Sequence, residues 1–109
     1  MENEAALFRA LGDPLRLRIA VILARSGETC VCHIAGALEE PDFKISRHLT
    51  VLRAAGLVRA RREGTWMHYS LSLPDNALGL LLTGLLREGF EDHPASLRDM
   101  SRLNSACCR

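Results

Sequence analysis

"ETCVCHIAGALEEPDFKISRHLTVLRAAGLVRARREGTWMHYSL", residues 28–71, is the stretch that decides the fold. Near its middle, Pro41 ends one helical run and Asp42 can cap the next, since proline cannot continue a helix and an aspartate oxygen satisfies its first free N–H groups. The run after Asp42, "FKISRHLTVLRAAG", sets Ile45, Leu49 and Leu52 on one face and closes at Gly56. Lys44, Ser46, Arg47, Thr50 and Arg53 lie off that stripe. The preceding run, with Thr29 as its expected cap, continues to Leu38 and Glu39. Two short helices joined by a tight turn, the second carrying polar and basic residues on its outer face, form a helix-turn-helix pattern. "LVRARREGTWMHYSL" follows directly, with two runs of strand composition around Glu63-Gly64. A helix-turn-helix with a basic hairpin behind it is a winged helix.

The flanks complete a mainly α (α+β) domain. "EAALFRALG" has Leu7, Phe8 and Leu11 at helical spacing and stops at Gly12. In "DPLRLRIAVILARSG", Asp13 is the cap, Pro14 takes the first helical position, and Leu15, Ile19, Ile22 and Leu23 share a face. A fifth helix, expected from Pro74 to Phe90, carries Leu78, Leu81, Leu82, Leu85 and Leu86 in a stripe. A small domain that already has a core can use such a stripe as a subunit seam, so homodimerisation through the first helix and residues 74–90 is expected. Replacing Leu82 with Asp should then give monomers. Residues 1–90 read as the DNA-binding and dimerisation unit, and 91–109 as a weakly helical tail bearing Cys107 and Cys108.

Length and composition agree: 109 residues, 48% hydrophobic and 25% charged, describe one globular domain. The opening "MENEAALFRA" lacks the basic start and apolar run of a signal peptide, and no stretch reads as a membrane span, so a cytoplasmic location is expected. Thiols are kept reduced there, which favours ligand, sensor or core roles over structural disulfides for the four cysteines. The net charge of +1 conceals a concentration: Lys44, Arg47, Arg53, Arg59, Arg61 and Arg62 follow Phe43 with no acidic residue among them. Such a block is the footprint of a phosphate-binding face, and double-stranded DNA is the expected partner. Lys44, Ser46 and Arg47 are the expected base readers, with Thr50, Arg53, Arg61 and Arg62 on phosphates or in the minor groove.

These residues resemble the arsenic-sensing branch of the ArsR–SmtB repressors, from about Leu7 through Leu86. The likeness is carried by the Cys-Val-Cys opening of the third helix, Ile-Ser-Arg-His-Leu in the recognition helix, Ala-Gly-Leu-Val before the wing and Trp-Met-His-Tyr in its second strand. It implies a homodimeric repressor that leaves its operator when a trivalent metalloid binds. The best-known members carry a third cysteine three positions after the second; here that position is Ala35.

As(III) and Sb(III) are soft centres that form three bonds in a pyramid, so a selective site wants three thiolates. Cys30 and Cys32 offer two, and with Ala35 unable to contribute, Cys107 or Cys108 is the expected third. Seventeen positions separate Phe90 from Cys107, about 25 Å even if wholly helical, so reach allows either subunit. Successive helical residues advance about 100°, which turns side chains 30 and 32 apart; chelation by both is therefore expected to require an unwound first turn. No organic cofactor is implied. A zinc or cadmium sensor using all four sulfurs, or a thiol-redox sensor, would use the same fold. His33 and His93 read as solvent-facing, and His48 as a packing or hydrogen-bonding residue. An enzyme is disfavoured, because no nucleophile with a base and an anion cradle is present.

Overall fold

A computed structural model describes residues 1–105 of the chain; the expected ligands Cys107 and Cys108 lie outside the described residues. The elements run α1 (Glu2–Leu11), α2 (Pro14–Ser26), β1 (Thr29–Cys30), α3 (Val31–Leu38), α4 (Asp42–Ala54), β2 (Val58–Glu63), β3 (Trp66–Leu71), α5 (Ala77–Glu88) and α6 (Pro94–Ser105). The helices surround a core centred on α2, whose Ile19, Ile22 and Leu23 pack with Ile34 of α3, with Ile45, Leu49 and Leu52 of α4, with Leu57 just before β2, and with Leu86 of α5. The recognition-helix stripe is therefore the floor on which α4 rests, and its other face is left to solvent.

Helix starts follow capping chemistry. Asp13 adopts an extended backbone, and its carboxylate accepts from the Leu15 and Arg16 amides at 3.0 Å each, with Pro14 at the first helical position. The fourth helix begins one residue earlier than expected: Pro41 is its cap and Asp42 its first residue, where a carboxylate still meets the positive end of the helix dipole. The fifth starts later, at Ala77, because the Asn76 side chain accepts the Gly79 amide at 3.0 Å. A Cβ at Gly79 would overlap the Pro74 carbonyl oxygen, so the chain before the helix crosses its first turn closely.

Two elements depart from the sequence expectation. Thr29 does not cap the third helix; Thr29 and Cys30 form a short strand on the free edge of β3, giving the order β1-β3-β2. An open strand edge presents unpaired backbone groups, and pairing Thr29 with Tyr69 and Cys30 with His68 covers part of it. The Thr29 hydroxyl instead donates to the Gly27 carbonyl at 2.9 Å.

The segment expected to be weakly helical contains α6, which packs against α2 and α3. Its anchor is ionic: Asp99, only 2% exposed, receives both prongs of the Arg18 guanidinium at 2.7 and 2.9 Å and Arg102 Nη2 at 3.0 Å. Arg102 Nε also donates to the Ala37 carbonyl near the end of α3 at 2.5 Å. Among the described residues no helix is long and apolar enough to cross a membrane.

Candidate nucleic-acid interface and thiol pair

Burial of Ile45, Leu49 and Leu52 turns the opposite side of α4 outward, and Lys44, Arg47, Thr50 and Arg53 are all exposed there, with Ser46 half-buried. Lys44 Nζ lies 3.1 Å from a Glu40 carboxylate, a surface pair that phosphate can replace at small cost. The Arg47 guanidinium sits 5.9 Å from the centroid of the exposed Phe43 ring, whose π face holds the cation over the first turn of the helix. Thr50 Oγ1 donates to the Ser46 carbonyl at 3.0 Å, which ties both hydroxyl-bearing positions to the helix backbone. At the inner edge of the helix, His48 Nδ1 lies 3.3 Å from Arg16 Nη1, while Arg16 Nε donates to the Ala10 carbonyl at 2.7 Å. His48 thus joins α4 to α2, as its hydrogen-bonding role requires.

The wing is β2 and β3 in register from Val58 opposite Leu71 to Glu63 opposite Trp66, turning at Gly64, whose φ of +62° suits glycine. Arg59, Arg61 and Arg62 are exposed on β2. Arg59 Nε donates to Ser70 Oγ at 3.3 Å. Arg61 is engaged within the chain: its Nη2 and Nε donate to the two oxygens of Glu28 at 2.8 and 3.1 Å, and its Nη1 lies 3.6 Å from Glu63. The Arg61 hydrogen bonds hold the Glu28 carboxyl below its ordinary value, and the same pairing raises the Arg61 guanidinium.

The Cys30 and Cys32 sulfurs meet at the start of α3. Cys30 has an extended backbone (φ −71°, ψ 146°) and stands at the cap position, while Cys32 is the second helical residue. Their sulfurs are 3.2 Å apart. That exceeds the 2.05 Å or so of a disulfide bond, and bonds of about 2.3 Å, the length of a zinc–thiolate bond, set at a right angle put two sulfurs about 3.3 Å apart. The expectation that the first turn must unwind is corrected: only Cys32 lies in the helix, and the extended Cys30 swings its sulfur back over it. Cys30 is buried and Cys32 half-buried, beside the positive end of α3 that favours anionic ligands. Ala35 is 3% exposed and packs in the core on this helix. Among the described residues no group of three or more His, Cys, Asp or Glu is placed to hold a metal ion.

Sequence reasoning passed over Glu28, Phe43 and Arg16. The exposed aromatic Phe43 beside a basic run was a usable signal. Glu28 and Arg16 were not legible, since their partners are 33 and 32 positions away.

Comparison with known proteins agrees with this geometry. Residues 13–60 match the family model for bacterial regulatory proteins of the arsR family. An HTH-type transcriptional regulator of Methanocaldococcus jannaschii is 50% identical over 68 residues, covering 62% of this chain and 76% of the relative. The arsenical resistance operon repressor of Escherichia coli is 48% identical over 66 residues, 61% of this chain and 56% of the relative. A cadmium resistance regulatory protein homologue from Staphylococcus aureus is 40% identical over 67 residues, covering 62% and 55%. For the last two, the chain thus spans little more than half of the relative. Among solved structures, the homodimeric winged helix-turn-helix DNA-binding domain of a possible ArsR-family regulator from Mycobacterium bovis superposes with a TM-score of 0.66 at 36% identity, covering 85% of this chain and 86% of that one.

Proposed function

Because this chain belongs to the arsR family of bacterial regulatory proteins, a family of DNA-binding transcription regulators and not of enzymes, we propose that it is an operator-bound repressor released when As(III) or Sb(III) binds its cysteine thiolates. The observation that carries the reading is the 3.2 Å separation of the Cys30 and Cys32 sulfurs at the head of the helix-turn-helix. The third sulfur comes from the tail, from Cys107 or Cys108, which follow two or three positions after α6; that helix lies against α3, the helix the thiol pair opens. A soft trivalent centre held by three thiolates needs no other donor.

The protein acts as a homodimer on a palindromic operator with half-sites about 34 Å apart, one recognition helix per half-site. Lys44, Ser46 and Arg47 read bases, with Arg47 suited to a two-pronged guanine contact, and Thr50, Arg53, Arg61 and Arg62 hold phosphates or reach the minor groove from the wing. Arg47→Ala should relax base preference at one operator position, whereas Arg62→Ala should weaken all sequences alike and flatten the salt dependence. Uniform loss in both would end that division.

Operator release, followed by fluorescence anisotropy across arsenite, antimonite, cadmium, zinc and peroxide, tests the inducer. Parent protein should release with arsenite and antimonite. Cys30→Ser and Cys32→Ser should still bind operator and fail to release; changing both tail cysteines should weaken release strongly. The similarity to a cadmium resistance regulator gives a second reading with a divalent soft ion on the same thiols, and release by cadmium but not arsenite would select it. Release by peroxide alone would select a thiol-redox sensor.

A further inference from the structure

We propose that Glu28 is a positioning residue that couples the thiol pair to the DNA-binding wing through its two-pronged ion pair with Arg61. The proposal rests on the inducer reading above. Cys30 pairs with His68 on β3, and His68 pairs on its other side with Arg61 of β2, so one row across the sheet runs from the sulfur to the wing arginine. Residues directly opposed on antiparallel strands project to the same face, and this row therefore shares a face. Glu28, two residues before Cys30, reaches over it to take Arg61 at 2.8 and 3.1 Å. Glu63, two residues after Arg61, lies 3.6 Å from Arg61 and 3.4 Å from His68 Nε2, the latter contact without hydrogen-bond geometry.

β1 has only two residues, and Cys30 is at once a strand residue, the cap of α3 and a candidate ligand. When Cys30, Cys32 and a third sulfur close on one small ion, the Cys30 backbone adjusts to the pyramid. No intervening helix or loop absorbs the change before Glu28, which the adjustment carries along. Arg61 must follow or lose its fork, because a bidentate guanidinium–carboxylate pair tolerates little misorientation. The pair is solvent-exposed and weak enough to break, which suits a joint that is stable in one state and open in the other. The wing thus receives the inducer signal through the sheet, separately from the recognition helix, which α3 reaches across the turn at residues 39–41.

The test compares the coupling ratio, operator Kd with arsenite over operator Kd without, in parent, Glu28→Gln, Glu28→Asp and Arg61→Lys proteins. Arsenite uptake by the DNA-free protein is followed by thiolate-to-arsenic absorbance. The parent ratio should fall in the range of about 5–150 usual for coupled sites. Glu28→Gln should take up arsenite like the parent while its ratio drops about fivefold or more. Arg61→Lys, which keeps the charge and loses the fork, should show the same drop, and Glu28→Asp should lie between. A parental ratio in Glu28→Gln overturns the proposal, as does loss of arsenite uptake in that variant, which would make Glu28 part of the thiol site's scaffold. A parent that takes up arsenite with no change in operator affinity overturns the inducer reading and the coupling with it. A parent that takes up no arsenite overturns only that reading's choice of ion, and cadmium then replaces arsenite in the same comparison, where a parental ratio in Glu28→Gln again overturns the coupling.

Discussion

Single side chains carry disproportionate weight in a domain of 109 residues. Asp13 holds the first turn of α2, and its carboxyl lies below its ordinary 3.8 because the Arg16 amide, above all, donates to the charged form. A depressed carboxyl contributes stability that is present above the unfolded value and fades as pH falls through the folded one. Asp13→Ala should cost about 1 kcal/mol in urea denaturation at pH 7. The gap between Asp13→Asn and parent should close below pH 3.8, since asparagine caps without a charge. Asp99 is the stronger dependence. It is buried and shared by Arg18 and Arg102, so Asp99→Asn should cost about 2–3 kcal/mol, moderated because Arg18 is one-third exposed and can turn to water. A denaturation midpoint within error of the parent would show that the two arginines do not anchor α6.

At the scale of elements, propensity and packing oppose each other in two places. Alanine is favoured over glycine inside a helix by about 1 kcal/mol, yet Gly79→Ala in α5 should destabilise, because the added methyl meets the Pro74 backbone rather than a movable side chain. A rise in Tm for that variant would show that the Pro74 segment moves aside at no cost. The end of α3 shows the reverse conflict: Glu39 is the one non-glycine residue with positive φ among the described residues, at +55°, where left-handed backbone closes the helix. Glu39→Gly should stabilise by about 0.5–1 kcal/mol in the same assay, since glycine adopts that conformation freely. The third helix begins at Val31 for a related reason. Strand pairing on β3 outcompetes a threonine cap for the backbone of Thr29 and Cys30, and that choice puts the two sulfurs together.

The whole molecule separates two leucine sets that one stripe had merged. Leu82 and Leu86 are 5% and 0% exposed in their own subunit, while Leu81 is 73% exposed and stands with Leu80, Leu85 and Phe8 of α1 in the open. Leu82→Asp should therefore unfold the chain instead of dissociating it, correcting the expectation from periodicity. Leu81→Asp should give folded monomers in sedimentation at micromolar concentration, with operator affinity falling because two half-sites are no longer held together. A folded dimer in Leu81→Asp would move the seam off this face. Local order was legible by itself: Asp13-Pro14, Gly12 and the Ile45–Leu49–Leu52 spacing act within one or two turns, and the cluster of basic residues without acidic neighbours needs no folding to be seen. What only the tertiary structure decided are relations between distant positions. They are the pairing of Cys30 with His68 that makes a strand of a helix start, the burial of Asp99 against Arg18 that turns a weak helical pattern into α6, the split of the α5 leucines between core and surface, and the hold of Glu28 on Arg61. Each depends on groups 33 to 81 positions apart, or on which side of an element faces the core, and no local periodicity encodes either.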